Sequence, residues 1–184
     1  MNLPTWITVS RLFGVPLLLY LLYQPVPAAQ WLAVAVFLLA AGTDWLDGYL
    51  ARRLNQVTDL GKFLDPLVDK FLVLAPLLVL IELGRVPAWG VFLILARELT
   101  VAGWRANQTQ ISGANLWGKL KTVTQIVAIA LLIAPLPAVW DRPAEIAFWL
   151  AVALTLISGA IYLLPNQPSS QPSNQPSNQS STHT

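Results

Sequence analysis

Six apolar runs fill most of the first 164 residues: Trp6–Tyr23, Ala29–Leu50, Phe63–Leu83, Ala88–Trp104, Leu120–Ala134 and Ala144–Leu164. A helix that crosses a bilayer needs about 20 apolar residues, so runs of this length leave few architectures open. The composition agrees, with 55% of residues apolar and only 11% charged, far from the balance of a soluble domain. The expected fold is an all-α integral membrane protein with six transmembrane helices, occupying residues 1–164. The fifth run is short for a full span and gains length if Gly118 and Lys119 share its helix. Several runs carry a charge near one end, which puts a polar site at interface depth on one side of the membrane.

The first run differs from a cleaved leader. Its Arg11 lies inside the apolar stretch rather than before it, and no small-residue cleavage site follows Tyr23. Orientation follows from basic residues. Arg52, Arg53 and Lys62 fall between the second and third runs, and Arg105, Lys119 and Lys121 between the fourth and fifth; only Arg85 and Arg142 fall on the other side. Six against two places both termini in the cytoplasm and the protein as a multi-pass chain in the plasma (inner) membrane. Trp6, Trp31, Trp89, Trp104 and Trp117 stand at run ends, as an aromatic belt would. With no cysteine there is no disulfide or thiol chemistry, and a net charge of +2 is not the signature of nucleic-acid binding. Pro165–Thr184 is built from Asn, Gln, Pro, Ser and Thr, with Asn-Gln-Pro-Ser at 166–169 and again at 174–177. Such a segment lacks the apolar surface to offset ordering entropy and reads as a disordered tail. His183, the single histidine, lies in it.

Against this apolar background one segment concentrates acid. It reads Asp44-x2-Asp47-Gly48-x2-Ala51-Arg52-x8-Gly61-x3-Asp65-x3-Asp69. On a helix, positions 44, 47, 48 and 51 share one face, and 61, 65 and 69 follow a second, slowly drifting stripe. Two such faces turned together would gather four carboxylates. Their mutual repulsion in a low-dielectric setting calls for a hard divalent cation, and oxygen-only ligation disfavours zinc.

This pattern resembles, at all eight fixed positions, the signature of the CDP-alcohol phosphotransferase family of membrane enzymes. The resemblance implies that Asp44, Asp47, Asp65 and Asp69 bind two ions, Mg2+ or Mn2+, and that Asp69 is also the general base toward the acceptor hydroxyl. It assigns Arg52 to a phosphate of the CDP group and Thr58 to a CDP-contacting hydroxyl position. Gly48, Ala51 and Gly61 belong to the same motif; on Gly48 and Ala51 a nucleotide could approach the helix backbone, although small residues also let membrane helices pack closely. The stretch Asn2-Leu3-Pro4-Thr5-Trp6-Ile7-Thr8-x2-Arg11 resembles the family's N-terminal segment, which would set Thr5 and Thr8 near the CDP-lipid; on residue chemistry alone it is a helix start with Pro4 and hydroxyl caps.

Two further segments, Ala96-Arg97-Glu98-Leu99-Thr100 followed by Arg105, and Gly118-Lys119-x-Lys121-Thr122-x2-Gln125, resemble the bacterial branch of the family whose acceptor is sn-glycerol 3-phosphate. The resemblance implies a basic pocket of Arg97, Arg105, Lys119 and Lys121, with Arg52, for an acceptor that brings its own phosphate. Positive-inside anchoring explains Lys119 and Lys121 equally well. It explains Arg97 poorly: Arg97 sits deep enough to need a partner, and Glu98 is the adjacent candidate. The partners implied are CDP-diacylglycerol, sn-glycerol 3-phosphate and the lipid bilayer. Inositol phosphate or serine as acceptor would keep the chemistry. A cation or proton transporter would use intramembrane aspartates but leave the Gly and Arg positions unexplained, and no inverted repeat is visible. Small-residue stretches such as Gly84–Gly90 can pack within one chain or between two, the latter making a homodimer.

Overall fold

The computed structural model describes the backbone of residues 3–54, 59–106 and 116–163, and the side chains of 10–43, 67–104 and 117–161. Within these residues the chain forms six α-helices: α1 Leu3–Leu22, α2 Pro27–Leu54, α3 Asp59–Glu82, α4 Ala88–Ala106, α5 Leu116–Ile133 and α6 Asp141–Leu163. A single 3-10 turn at Ala138–Trp140 leads into α6. Each apolar run maps onto one helix. Gly118 and Lys119 do belong to α5, so the short fifth run gains the expected length. The predicted tail lies outside the described residues.

Helices form here because each run is long, apolar and bounded by residues that stop a helix. Pro27 opens α2, where its missing N–H and fixed φ cost nothing. Asp141 stands in the first turn of α6, favourable against the helix dipole. At the end of α3, Gly84 adopts φ +68. There the Arg85 N–H donates to the Leu80 carbonyl at 2.9 Å and the Gly84 N–H to that of Ile81 at 2.9 Å. This pair of bonds satisfies the last carbonyls and turns the chain toward α4, a conformation that glycine adopts without a Cβ penalty.

Side-chain pairs fix how the helices run. Arg11 meets Asp69 and, further on, Tyr23 donates to Glu82 at 2.5 Å, so α1 and α3 are parallel. Gly90 approaches Phe148, and Arg97 approaches Gly159 and Ser158, so α4 and α6 are parallel. Lys121, near the start of α5, reaches Glu98, whereas Leu132, near its end, accepts from Arg85 just before α4; α5 therefore opposes both. The first three helices contact one another, α6 contacts both α4 and α5, and α5 also touches α2 and α3. One buried cluster joins them, with Leu18, Phe37, Leu77, Leu80, Ile129, Ile133 and Phe148 among its members. The outer surface is apolar too: Phe13, Leu39, Phe92, Val123 and Ile146 are all exposed.

The α2 helix leaves α1 after a four-residue connection, so the two are antiparallel neighbours. The C-terminal halves of α2, α4 and α6 then share one end of the bundle with the N-terminal halves of α1, α3 and α5. That shared end carries every predicted site position on a described helix.

Candidate functional site

The acidic motif is helical from end to end where the backbone is described. Asp44, Asp47, Gly48, Ala51 and Arg52 all lie within α2, and Gly61, Asp65 and Asp69 within α3. The i, i+3, i+4, i+7 and i, i+4, i+8 spacings therefore do place these positions on helix faces, and the two helices touch. Thr58 lies outside the described residues. Thr5 and Thr8 lie on α1 and Arg105 on α4; for these, as for the motif positions before Leu67, the backbone alone is described. Among the described side chains, no group of three metal-binding residues stands together.

Asp69 is the motif carboxylate whose side chain is described. It is 44% exposed and accepts a hydrogen bond from Nη1 of Arg11 at 3.2 Å; Arg11 itself is only 3% exposed. The pairing explains how an arginine persists inside an apolar run. Its guanidinium is held beneath a carboxylate that still reaches water. In the sequence Arg11 is the one charged residue of an apolar run, which is itself a signal that a partner exists. Fifty-eight positions separate it from that partner.

Carboxylates are hard oxygen ligands of the kind that Mg2+ or Mn2+ takes, and the four aspartate positions stand on two touching helices. The exposure of Asp69 keeps it within reach of an ion entering from the polar end. Asp44, Asp47, Asp65 and Asp69 are the residues that would hold it.

A second polar cluster lies between α4, α5 and α6. Nη1 of Arg97 donates to Oε1 of Glu98 at 3.1 Å, and Nζ of Lys121 donates to the same oxygen. Nη2 of Arg97 donates to Oγ of Ser158 at 2.8 Å, and the Ser158 hydroxyl donates onward to the Thr155 carbonyl at 3.1 Å. Gln125 of α5 completes the layer by donating to Oγ1 of Thr155 at 3.0 Å. The arginine and lysine side chains are each 9% exposed, the glutamate 23%. Of the four predicted acceptor residues, then, the described side chains bring Arg97 and Lys121 together through Glu98. Lys119 is exposed, two residues, or about half a turn, nearer the start of α5.

The adjacent glutamate does pair with Arg97, as its depth demanded; that Lys121 shares it was not legible from spacing. Ser158 and Gly159 were missed as well. A Cβ on Gly159 would stand 2.7 Å from Cγ of Arg97, so this glycine makes the room in which the arginine stem lies. Gly90 plays a matching part at the other end, where a Cβ would meet the Phe148 ring at 2.8 Å, so this small residue packs within one chain. A cleft of 460 Å3 lined by Arg85, Trp140, Asp141, Glu145 and Phe148 opens at that far end, remote from the motif.

Comparison with known proteins covers almost the whole chain. A protein of Bacillus subtilis (strain 168) called CDP-diacylglycerol–glycerol-3-phosphate 3-phosphatidyltransferase is 39% identical over 183 residues, covering 90% of this chain and 95% of its own. Proteins of the same name from Escherichia coli (strain K12) and Rickettsia bellii (strain RML369-C) are 39% and 35% identical, each covering 88% of this chain and 93% of its own length. Residues 1–157 match the family described as CDP-alcohol phosphatidyltransferase. With the match spanning both the helical aspartate motif and the Arg97–Glu98–Lys121 cluster, this chain belongs to the CDP-alcohol phosphatidyltransferase family.

Proposed function

We propose that the protein transfers the phosphatidyl group of CDP-diacylglycerol to sn-glycerol 3-phosphate, forming phosphatidylglycerophosphate and CMP. The observation that carries this reading is positional. Carboxylate positions suited to a divalent ion and a buried cationic cluster suited to a phosphate stand at the same end of one bundle, on α2–α3 and α4–α5 respectively. Relatives matched over nearly their full length bear the name of this activity.

Asp44, Asp47, Asp65 and Asp69 would hold two ions, Mg2+ or Mn2+, which would supply positive charge to the pyrophosphate and to the departing CMP. Arg52 meets a phosphate of the nucleotide, and Gly48, Ala51 and Gly61 admit it close to the helices, with Thr5, Thr8 and Thr58 beside the CDP-lipid. Asp69 takes the proton from the acceptor's 1-hydroxyl. As that oxygen bonds to the lipid-side phosphorus, the bond from this phosphorus to the CMP oxygen breaks. Arg97, Arg105, Lys119 and Lys121 hold the acceptor's own phosphate.

The bundle sits in the plasma membrane with six spanning helices and with both termini and the site on the cytoplasmic side. Support comes from the exposed apolar perimeter, from exposed Trp31, Trp89, Trp104 and Trp117 at helix ends, and from the six-to-two asymmetry of basic residues. Among the described residues one helical stretch, Ala138–Ile161, is by itself long and apolar enough to cross a membrane. The others combine shorter apolar stretches, such as Ser10–Leu22 and Pro27–Thr43, with the charged ends that build the site.

The test offers purified protein CDP-diacylglycerol with each acceptor in turn and measures CMP release. Glycerol 3-phosphate should turn over, and free glycerol and serine should fail. Chelation should abolish turnover, and Mg2+ or Mn2+ should restore it. Faster turnover of inositol phosphate would keep the family and overturn the acceptor; metal-independent turnover would end the two-ion reading.

A further inference from the structure

Two cations from different helices converge on one oxygen atom. Arg97 of α4 and Lys121 of α5 both donate to Oε1 of Glu98, the arrangement a phosphate oxygen would find between a guanidinium and an ammonium. We propose that Glu98 is an internal stand-in for the acceptor phosphate: it fills the anion position between Arg97 and Lys121 and gives it up when the acceptor binds. The inference rests on the reading that the acceptor carries a phosphate.

Differences in anchorage say which member moves. Arg97 is fixed at two points, by Ser158 on its guanidinium and by Gly159 along its stem. Lys121 is as buried as Arg97, whereas Glu98 is the most exposed of the three. The carboxylate is therefore the part that can turn out toward water while the cations stay. Charge favours the exchange, because a phosphate monoester brings about −1.5 to −2 and three acceptor oxygens, against one charge and two oxygens on a carboxylate. A hydroxyl-only acceptor has nothing with which to displace it. Glu98 thus becomes a specificity-determining residue, tethered beside the site it guards and closing it to neutral acceptors.

The experiment uses the full chain in detergent or lipid nanodiscs, with inorganic phosphate as probe. Glu98→Gln keeps the shape and removes the charge. Phosphate should then inhibit CMP release, and raise the midpoint of thermal unfolding, at concentrations about tenfold lower than for the wild type, the scale of one charge-assisted hydrogen bond. The KM for glycerol 3-phosphate should fall more than kcat changes. Should Glu98→Gln accumulate poorly, Glu98→Asp, whose shorter carboxylate cannot reach the same point, should move both readouts in the same direction by less. A phosphate response equal to or weaker than that of the wild type would show that Glu98 merely holds the two cations in place, and would overturn the proposal. Thermal unfolding needs no acceptor turnover, so the two readings fail separately. Wild-type protein that ignores glycerol 3-phosphate defeats the acceptor assignment, while an unchanged phosphate response in a glycerol-3-phosphate-using enzyme defeats only the stand-in.

Discussion

A charged side chain inside an apolar run must find a partner, and for Arg11 and Asp69 the partnership is unequal. Arg11 is buried and Asp69 half exposed, so water shares the charge of the aspartate and weakens the pair's contribution to stability. Arg11→Met should therefore cost little folding stability. Turnover should still fall by about tenfold, the low end for a lost charge-assisted hydrogen bond, because the carboxylate loses the group that orients it. Asp69→Asn should cost far more, about 10²–10⁴-fold, if Asp69 is the base. CMP release from well-inserted protein, measured beside thermal unfolding, checks both. That the aspartates fall on helices was legible in the sequence because their spacing matches a helical repeat. Neither the partner of Arg11 nor the sharing of Glu98 by Lys121 was, since both depend on which helices become neighbours.

Two glycines at opposite ends of the α4–α6 contact show how helices carry these residues. Alanine at Gly90 would gain about 1 kcal/mol of helix propensity. It would also drive a methyl group against the buried Phe148 ring, 2.8 Å away, and overpacking of this kind costs about 1–3 kcal/mol. The ring, itself against Trp149, has little room to yield, so Gly90→Ala should lower thermal stability and leave the KM for glycerol 3-phosphate unchanged. Alanine at Gly159 would instead displace the Arg97 stem. It should raise that KM with a smaller effect on unfolding. Equal loss of stability with no change in KM at Gly159 would show that Arg97 tolerates the shift. Helix existence could be read from apolar runs alone. The helix ends could not: α2 runs to Leu54 and α3 starts at Asp59, because a helical backbone continues through charged residues that end a hydropathy window. The 3-10 turn before α6 lay in a proline-flanked stretch with no periodic signal.

At the scale of the molecule, the antiparallel order gathers Arg52, Lys119 and Lys121 toward one end and leaves Arg85 and Arg142 at the other. Because the chain has no cysteine, single cysteines report sidedness cleanly. Asn55→Cys should be shielded from an impermeant reagent added outside the cell, and Arg142→Cys should be labelled. The opposite pattern would invert the proposed orientation. Truncation after Leu164 removes a segment of Asn, Gln, Pro, Ser, Thr and one His, and it should leave specific activity largely intact. A large loss in well-inserted protein would give the tail a role.

The three-by-three grouping of helices also has a consequence for how this catalyst can change. The carboxylate motif rides on α2 and α3, and the cations on α4 and α5, joined mainly where α5 leans on the first group. In the proposed assignment, the residues that make the bond and most of those that recognise the acceptor thus occupy separate stretches of the gene. Substitutions confined to the second stretch could retrain the enzyme toward a new alcohol without passing through a dead intermediate, while those in the first have almost nowhere to go.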